Sequence, residues 1–165
     1  MTSQQKPPLD PRQFYAQAMY FIIAGEVATK HAQANSAANP VAFHNFEGVI
    51  VGTCHGFGIE LLLKAYIILK GESVPRTHNL RVLLDNSVCS ELKERLAEEY
   101  SSTPEKFHAG VFGATASFQE LLAAHEKVFE DWRYACEPPS PQLDMNFTSF
   151  LANSLKHHVA KAMGM

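Results

Sequence analysis

Glu60 and Lys64 stand four residues apart inside the most apolar stretch of the chain, Ile59–Leu69. On a helix that spacing puts both on one face, within reach of each other. Taking a carboxylate and an ammonium out of water is expensive, and an isoleucine or leucine would cost less in such a setting. The pair is therefore either a structural ion pair on the least buried stripe of the helix or the lining of a shared pocket or interface. Later in the chain comes Trp132-Arg133-Tyr134-Ala135-Cys136-Glu137. The guanidinium of Arg133 is a planar fork of donors that fits phosphate or carboxylate, and Tyr134 adds a stacking ring and a hydroxyl. Arg133 can equally pair locally with Glu130 or Glu137 at helical spacing, or point across at Glu60. His78 follows the apolar stretch in a turn. It can cap a backbone group, or it can carry a proton or hold a phosphate near neutral pH.

Other chemistries find less support. The eight histidines include no HExxH, and no Cys/His spacing of the zinc-finger type occurs. His157 and His158 are adjacent and so point to different sides of a helix, while His125 lies on an apolar stripe and reads as a satisfied core residue. The glycines from Gly52 to Gly58 lack the lysine and hydroxyl of a phosphate-binding loop, and no GxSxG elbow is present. No cofactor or metal is expected. Cys54, Cys89 and Cys136 are odd in number and far apart, which suits free thiols in a reducing compartment. A net charge of −3 argues against a broad basic face for nucleic-acid backbones. The first residues are polar and proline-containing rather than signal-like. Val49–Leu69 is about long enough to span a bilayer, but His55, Glu60, Lys64 and its glycines favour a buried core helix. A cytoplasmic protein, away from membranes, is expected.

The elements that must position these groups are helices. At 165 residues the chain fits one domain. Residues 1–9 read as a disordered lead-in and residues 10–163 as a single helical-bundle domain. Asp10, Pro11 and Gln13 form an N-cap pattern, and Phe14, Ala18, Phe21, Ile22 and Gly25 mark one face of a first helix to about Ala34. Asn35 to Pro40 is a loop by composition. A second helix starts near Val41 to Asn45 and runs to Lys70. Its Gly48, Gly52 and Gly56 share a ridge, which implies close helix approach, or else the element breaks near Gly56–Gly58. His78-Asn79-Leu80 opens a short helix, and Ser87 can cap the one whose stripe is Val88, Leu92, Leu96 and Tyr100. Glu91, Lys93, Glu94, Arg95, Glu98 and Glu99 form its solvated face. Glu105 to Gly113 is ambiguous. Ser117 with Glu120 makes a capping box, and Phe118 to Trp132 continue as one amphipathic helix until Glu137, before the prolines. Leu143, Phe147, Phe150, Leu151, Leu155 and Val159 are the face of a last helix, fraying at Gly164. Nothing alternates with period two. The fold class is all-α, an up-and-down bundle of about five to six helices.

Taken together, Ile59-Glu60-Leu61-Leu62-Leu63-Lys64-Ala65, Gly71, Pro75, His78-Asn79-Leu80 and the later Arg133-Tyr134 with Glu137 resemble the HEPN family, named for nucleotide-binding domains of higher eukaryotes and prokaryotes. The resemblance runs from about Phe43 to Glu137. It implies a HEPN-like bundle, a two-fold homodimer with a cleft between protomers, and binding of a nucleotide or RNA. It also implies a possible nucleotidyltransferase or antitoxin partner. Many members are metal-independent RNases of toxin–antitoxin and antiphage defence systems, with Arg followed after four to six residues by His. Here the matching positions after Arg133 are Pro138, Pro139 and Ser140, and no other arginine is followed by such a histidine.

The leading expectation is thus a binding module rather than an enzyme. Arg133 is the anion fork, Lys64 and His78 are supporting donors, Glu60 orients Arg133 or Lys64, and Tyr134 is a stacking or hydroxyl partner. The alternatives are an RNase using His78 and Arg133, or a non-catalytic structural or interaction protein in which Glu60, Lys64 and Arg133 form an internal salt network.

Overall fold

In the computed structural model the described residues are 9–36, 47–103, 116–133 and 144–165. They form α1 (Pro11–Ser36), α2 (Glu47–Leu69), α3 (Leu80–Leu84), a 3-10 turn (Ser87–Cys89), α4 (Ser90–Ser102), α5 (Phe118–Ala124), α6 (Val128–Arg133) and α7 (Met145–Ala162), with no strand among them. The molecule is an all-α helical bundle. The expected helix start at 41–45, the ambiguous segment 105–113 and the lead-in 1–8 lie outside the described residues.

Helix α2 is the axis of the bundle, with α1, α6, α7 and α3 packed around it. Its Ile59, Leu62, Leu63, Ala65 and Ile67 are wholly buried. A helix apolar nearly all round requires neighbours on every side, and this one has them. By length and composition Val49–Leu69 could cross a membrane, yet 72% of it is buried inside the protein.

Helix α2 runs without a break through Gly56 and Gly58. These two glycines serve close approach, but on different sides. A Cβ on Gly56 would lie 2.9 Å from Val128 and 3.0 Å from the Phe129 backbone nitrogen on α6. A Cβ on Gly58 would lie 2.7 Å from Ile22 on α1.

Caps fix the helix starts. Asp10 accepts from the Arg12 N–H, and Asn79 accepts from the Val82 N–H. Ser117 and Glu120 form the reciprocal capping box, and Asp144 accepts from the Phe147 N–H. Asn86 caps the 3-10 turn, its side chain accepting from the Val88 N–H at 3.2 Å, and α4 follows from Cys89 with no side-chain cap, so Ser87 does not cap it.

The long helix expected from Phe118 to Glu137 is two helices. The chain turns at His125–Lys127, between α5 and α6. Non-local bonds hold the turn. The Glu126 carbonyl accepts from the Leu80 N–H at 2.7 Å, so α3 is tied to the junction. His125 is buried, donates from Nδ1 to the Leu121 carbonyl at 2.8 Å, and accepts at Nε2 from the Asp144 N–H at 2.8 Å. It is the satisfied core histidine anticipated above, and it also bolts α5 to the start of α7.

Candidate functional site

Glu60 is the centre of a three-residue cluster. Lys64, one turn further along α2, donates to its Oε1 at 2.6 Å. His78, from the turn that follows α2, lies with Nδ1 2.9 Å from Oε2. A carboxylate that already receives an ammonium offers only acceptors, so Nδ1 carries the ring proton and Nε2 is the nitrogen left for something else. The side chain of Glu60 is 1% exposed, Lys64 13% and His78 44%. Glu60 therefore does not lie on a poorly buried stripe, as its spacing alone suggests. It is an inward carboxylate that holds a cation and an imidazole at the edge of the bundle.

His78 is not the cap of α3. Asn79 does that work, while the Thr77 hydroxyl accepts from the Asn79 N–H at 3.0 Å. The His78 ring packs at 5.3 Å from Phe129 of α6, tilted by 44°. Phe129 in turn stacks on Phe57 of α2 at 4.8 Å, and Phe57 meets Phe21 of α1 edge-on at 4.6 Å. This aromatic run joins α1, α2 and α6 beside the cluster. Its basis in sequence is the missing side chain at Gly56, which lets the α6 backbone come against α2.

Arg133 is the last residue of α6, and α6 packs on α2. The Arg133 side chain lies outside the described residues, as do Tyr134, Cys136 and Glu137. Of the five site residues expected from sequence, the structure brings together Glu60, Lys64 and His78.

The cluster can do two things chemically. Lys64 can meet an anion, and the His78 Nε2 edge can join it when the ring carries a second proton, with Glu60 holding both in place. The Glu60–His78 dyad also has the form in which a carboxylate fixes an imidazole tautomer for proton transfer. Among the described residues no group of three or more His, Cys, Asp and Glu side chains could hold a metal ion. Cys54 and Cys89 are free, and burial pushes the Cys89 thiol up to about 11, which makes it a poor nucleophile.

Two further histidine contacts were not legible from local spacing. His158 of α7 reaches Glu99 of α4 at 2.7 Å across 59 residues of chain. His55 of α2 is buried against Gly25 of α1, where an added Cβ would come within 2.3 Å of its ring. Both His55 ring nitrogens are without a hydrogen-bond partner among the described residues, and burial pushes its pKa down against the opposing pull of Glu26.

Comparison with known protein families, with curated proteins and with solved structures returns no match.

Proposed function

We propose that this chain is a HEPN-like, homodimeric, cytoplasmic binding module that holds a nucleotide or RNA-related anion in a cleft beside the Glu60 cluster. The observation that carries the reading is the buried Glu60 carboxylate presenting Lys64 and His78 together at the margin of the bundle. The family resemblance adds Arg133 as the fork and Tyr134 as the stacking group. It is consistent with this that α6, which ends at Arg133, packs on α2 and places Phe129 against His78. A dimer is supported by the outer stripe of α1, where Tyr20, Ile23 and Val27 are exposed at steps of three and four. Titration of the purified protein with nucleotides and short RNAs tests the reading. Arg133→Ala and His78→Ala weaken binding, and an unchanged affinity in Arg133→Ala removes that residue from the site.

Two other readings each rest on one observation. The Glu60–His78 dyad favours an RNase in which His78 takes the proton from a 2′-hydroxyl. Incubation with total RNA in EDTA decides this, and intact RNA at high protein concentration counts against it. The mutual pairing of Glu60, Lys64 and His78 favours a purely structural tie between α2 and the turn before α3. In that case no nucleotide or RNA shifts the signals of His78.

A further inference from the structure

A second cluster of cations lies on another part of the molecule. The last turn of α2, the first half of α4 and the end of α7 enclose a cleft of about 210 Å³. Lys70, Arg95, His158 and Lys161 line it, with one carboxylate, Glu91, and an apolar floor that includes Tyr66 and Leu92. Tyr66 and Lys70 are set about 120° around α2 from Glu60 and Lys64, by the 100° turn per residue, so this is not the site described above.

The charges do not cancel within the cleft. Arg95 is paired with Glu91, and His158 with Glu99. Lys70 lies over the Tyr66 ring at 5.2 Å, and it has no carboxylate partner among the described residues. Lys161 likewise has none there. Lysines at helix C-termini complement the helix dipole, which accounts for one lysine on each helix but not for both facing one cavity with Arg95 and His158. The local excess is positive in a chain whose net charge is −3.

We infer that this cleft binds a small multivalent anion of the phosphate class, a free phosphate or the phosphoryl end of a small metabolite. The cavity is below the roughly 300–1,000 Å³ usual for larger organic ligands, which favours a compact anion over a nucleotide base or an RNA strand. Lys70 and Lys161 supply mobile ammonium donors from two helices. Arg95, held by Glu91, keeps further guanidinium donors for the ligand. The inference does not depend on the reading of the Glu60 cluster.

The test is isothermal titration of the full chain with inorganic phosphate and with pyrophosphate, at fixed ionic strength in chloride. Saturable binding is expected, with pyrophosphate the tighter because it carries more charge. A small phosphorylated metabolite that binds more tightly than either inorganic probe assigns the site to a phosphoryl end, and one that binds no more tightly assigns it to the free ion. Lys161→Gln and Lys70→Gln each weaken binding about tenfold, the scale of one charge-assisted hydrogen bond. Both side chains are exposed, so the variants fold, and circular dichroism checks this. Val82→Ala, on the exposed side of α3 and outside both clusters, leaves the affinity unchanged. Absence of saturable binding, equal affinity for chloride, or full affinity retained in both Lys161→Gln and Lys70→Gln overturns the inference.

Discussion

His78 Nδ1 lies 2.9 Å from Glu60 Oε2, across 18 residues of chain. That contact turns an intrahelical ion pair into a device with an outward face. Glu60 alone would be a buried charge, and Glu60 with Lys64 alone would be closed on itself. With His78 added, the carboxylate fixes an imidazole whose second nitrogen has no partner among the described residues.

Removing the carboxylate exposes how much the cluster holds. Glu60→Gln leaves the Lys64 ammonium without its counter-charge and should cost about 2 kcal/mol. This is below the ~3–5 kcal/mol of a fully buried broken pair, because Lys64 still reaches some water. Lys64→Met added to Glu60→Gln should recover part of the loss. Urea unfolding of the two single variants and the double variant measures the coupling, and strict additivity would deny it.

Part of this was legible in the sequence and part was not, for physical reasons. The Glu60/Lys64 spacing and the Ser117/Glu120 box are local, so residue type and separation suffice to read them. The outcome of the glycines in α2 needed the partner helices, because only Val128 and Ile22 show which side each one faces. The division of the Phe118–Glu137 stripe into α5 and α6 was hidden. Its apolar period continues through His125, and the bonds that turn the chain come from Leu80 and Asp144, distant in sequence. The Glu60–His78 and Glu99–His158 contacts are of the same long-range kind.

Stability should fall with pH below neutrality. Burial lowers the His125 pKa in the fold, opposed more weakly by the Leu121 carbonyl and by Asp144. The unfolded imidazole titrates near 6.5, so below about pH 6.5 the unfolded chain binds a proton that the fold refuses. The stabilisation is therefore complete above that pH and is lost as the pH drops, at up to ~1.4 kcal/mol per pH unit for each such group. His55, lowered by burial, adds to the slope. Urea midpoints between pH 7.5 and 5 check this. His125→Gln should reduce the slope, and a flat profile in the wild type would contradict the assignment.

Gly56→Ala should destabilise the protein by about 1–2 kcal/mol, even though alanine is the better helix former by ~1 kcal/mol. The new methyl would meet the Phe129 backbone at 3.0 Å, and backbone cannot swing aside as a side-chain tip can. The shift should also disturb the stacking of Phe129 on His78. Thermal unfolding, together with the His78 ring signals by NMR, reads both effects.

The exposed stripe of α1 predicts the oligomeric state. Ile23→Lys places a charge among Tyr20 and Val27 without touching the core, since Ile23 is 50% exposed. Sedimentation should show a dimer for the wild type and a monomer for the variant, at unchanged unfolding midpoint when extrapolated to low concentration. A wild-type monomer at high concentration would remove the dimer from the account.

The central claim is that the Glu60 cluster holds an anion through His78, Lys64 and the Arg133 fork. The most direct measurement is a calorimetric titration of nucleotides and a short RNA into the wild type, Glu60→Gln, His78→Ala and Arg133→Ala. The account predicts saturable binding by the wild type, weakened about tenfold or more in each variant, the scale of one charge-assisted contact. Equal affinity in all four proteins, or no binding by the wild type, would contradict it.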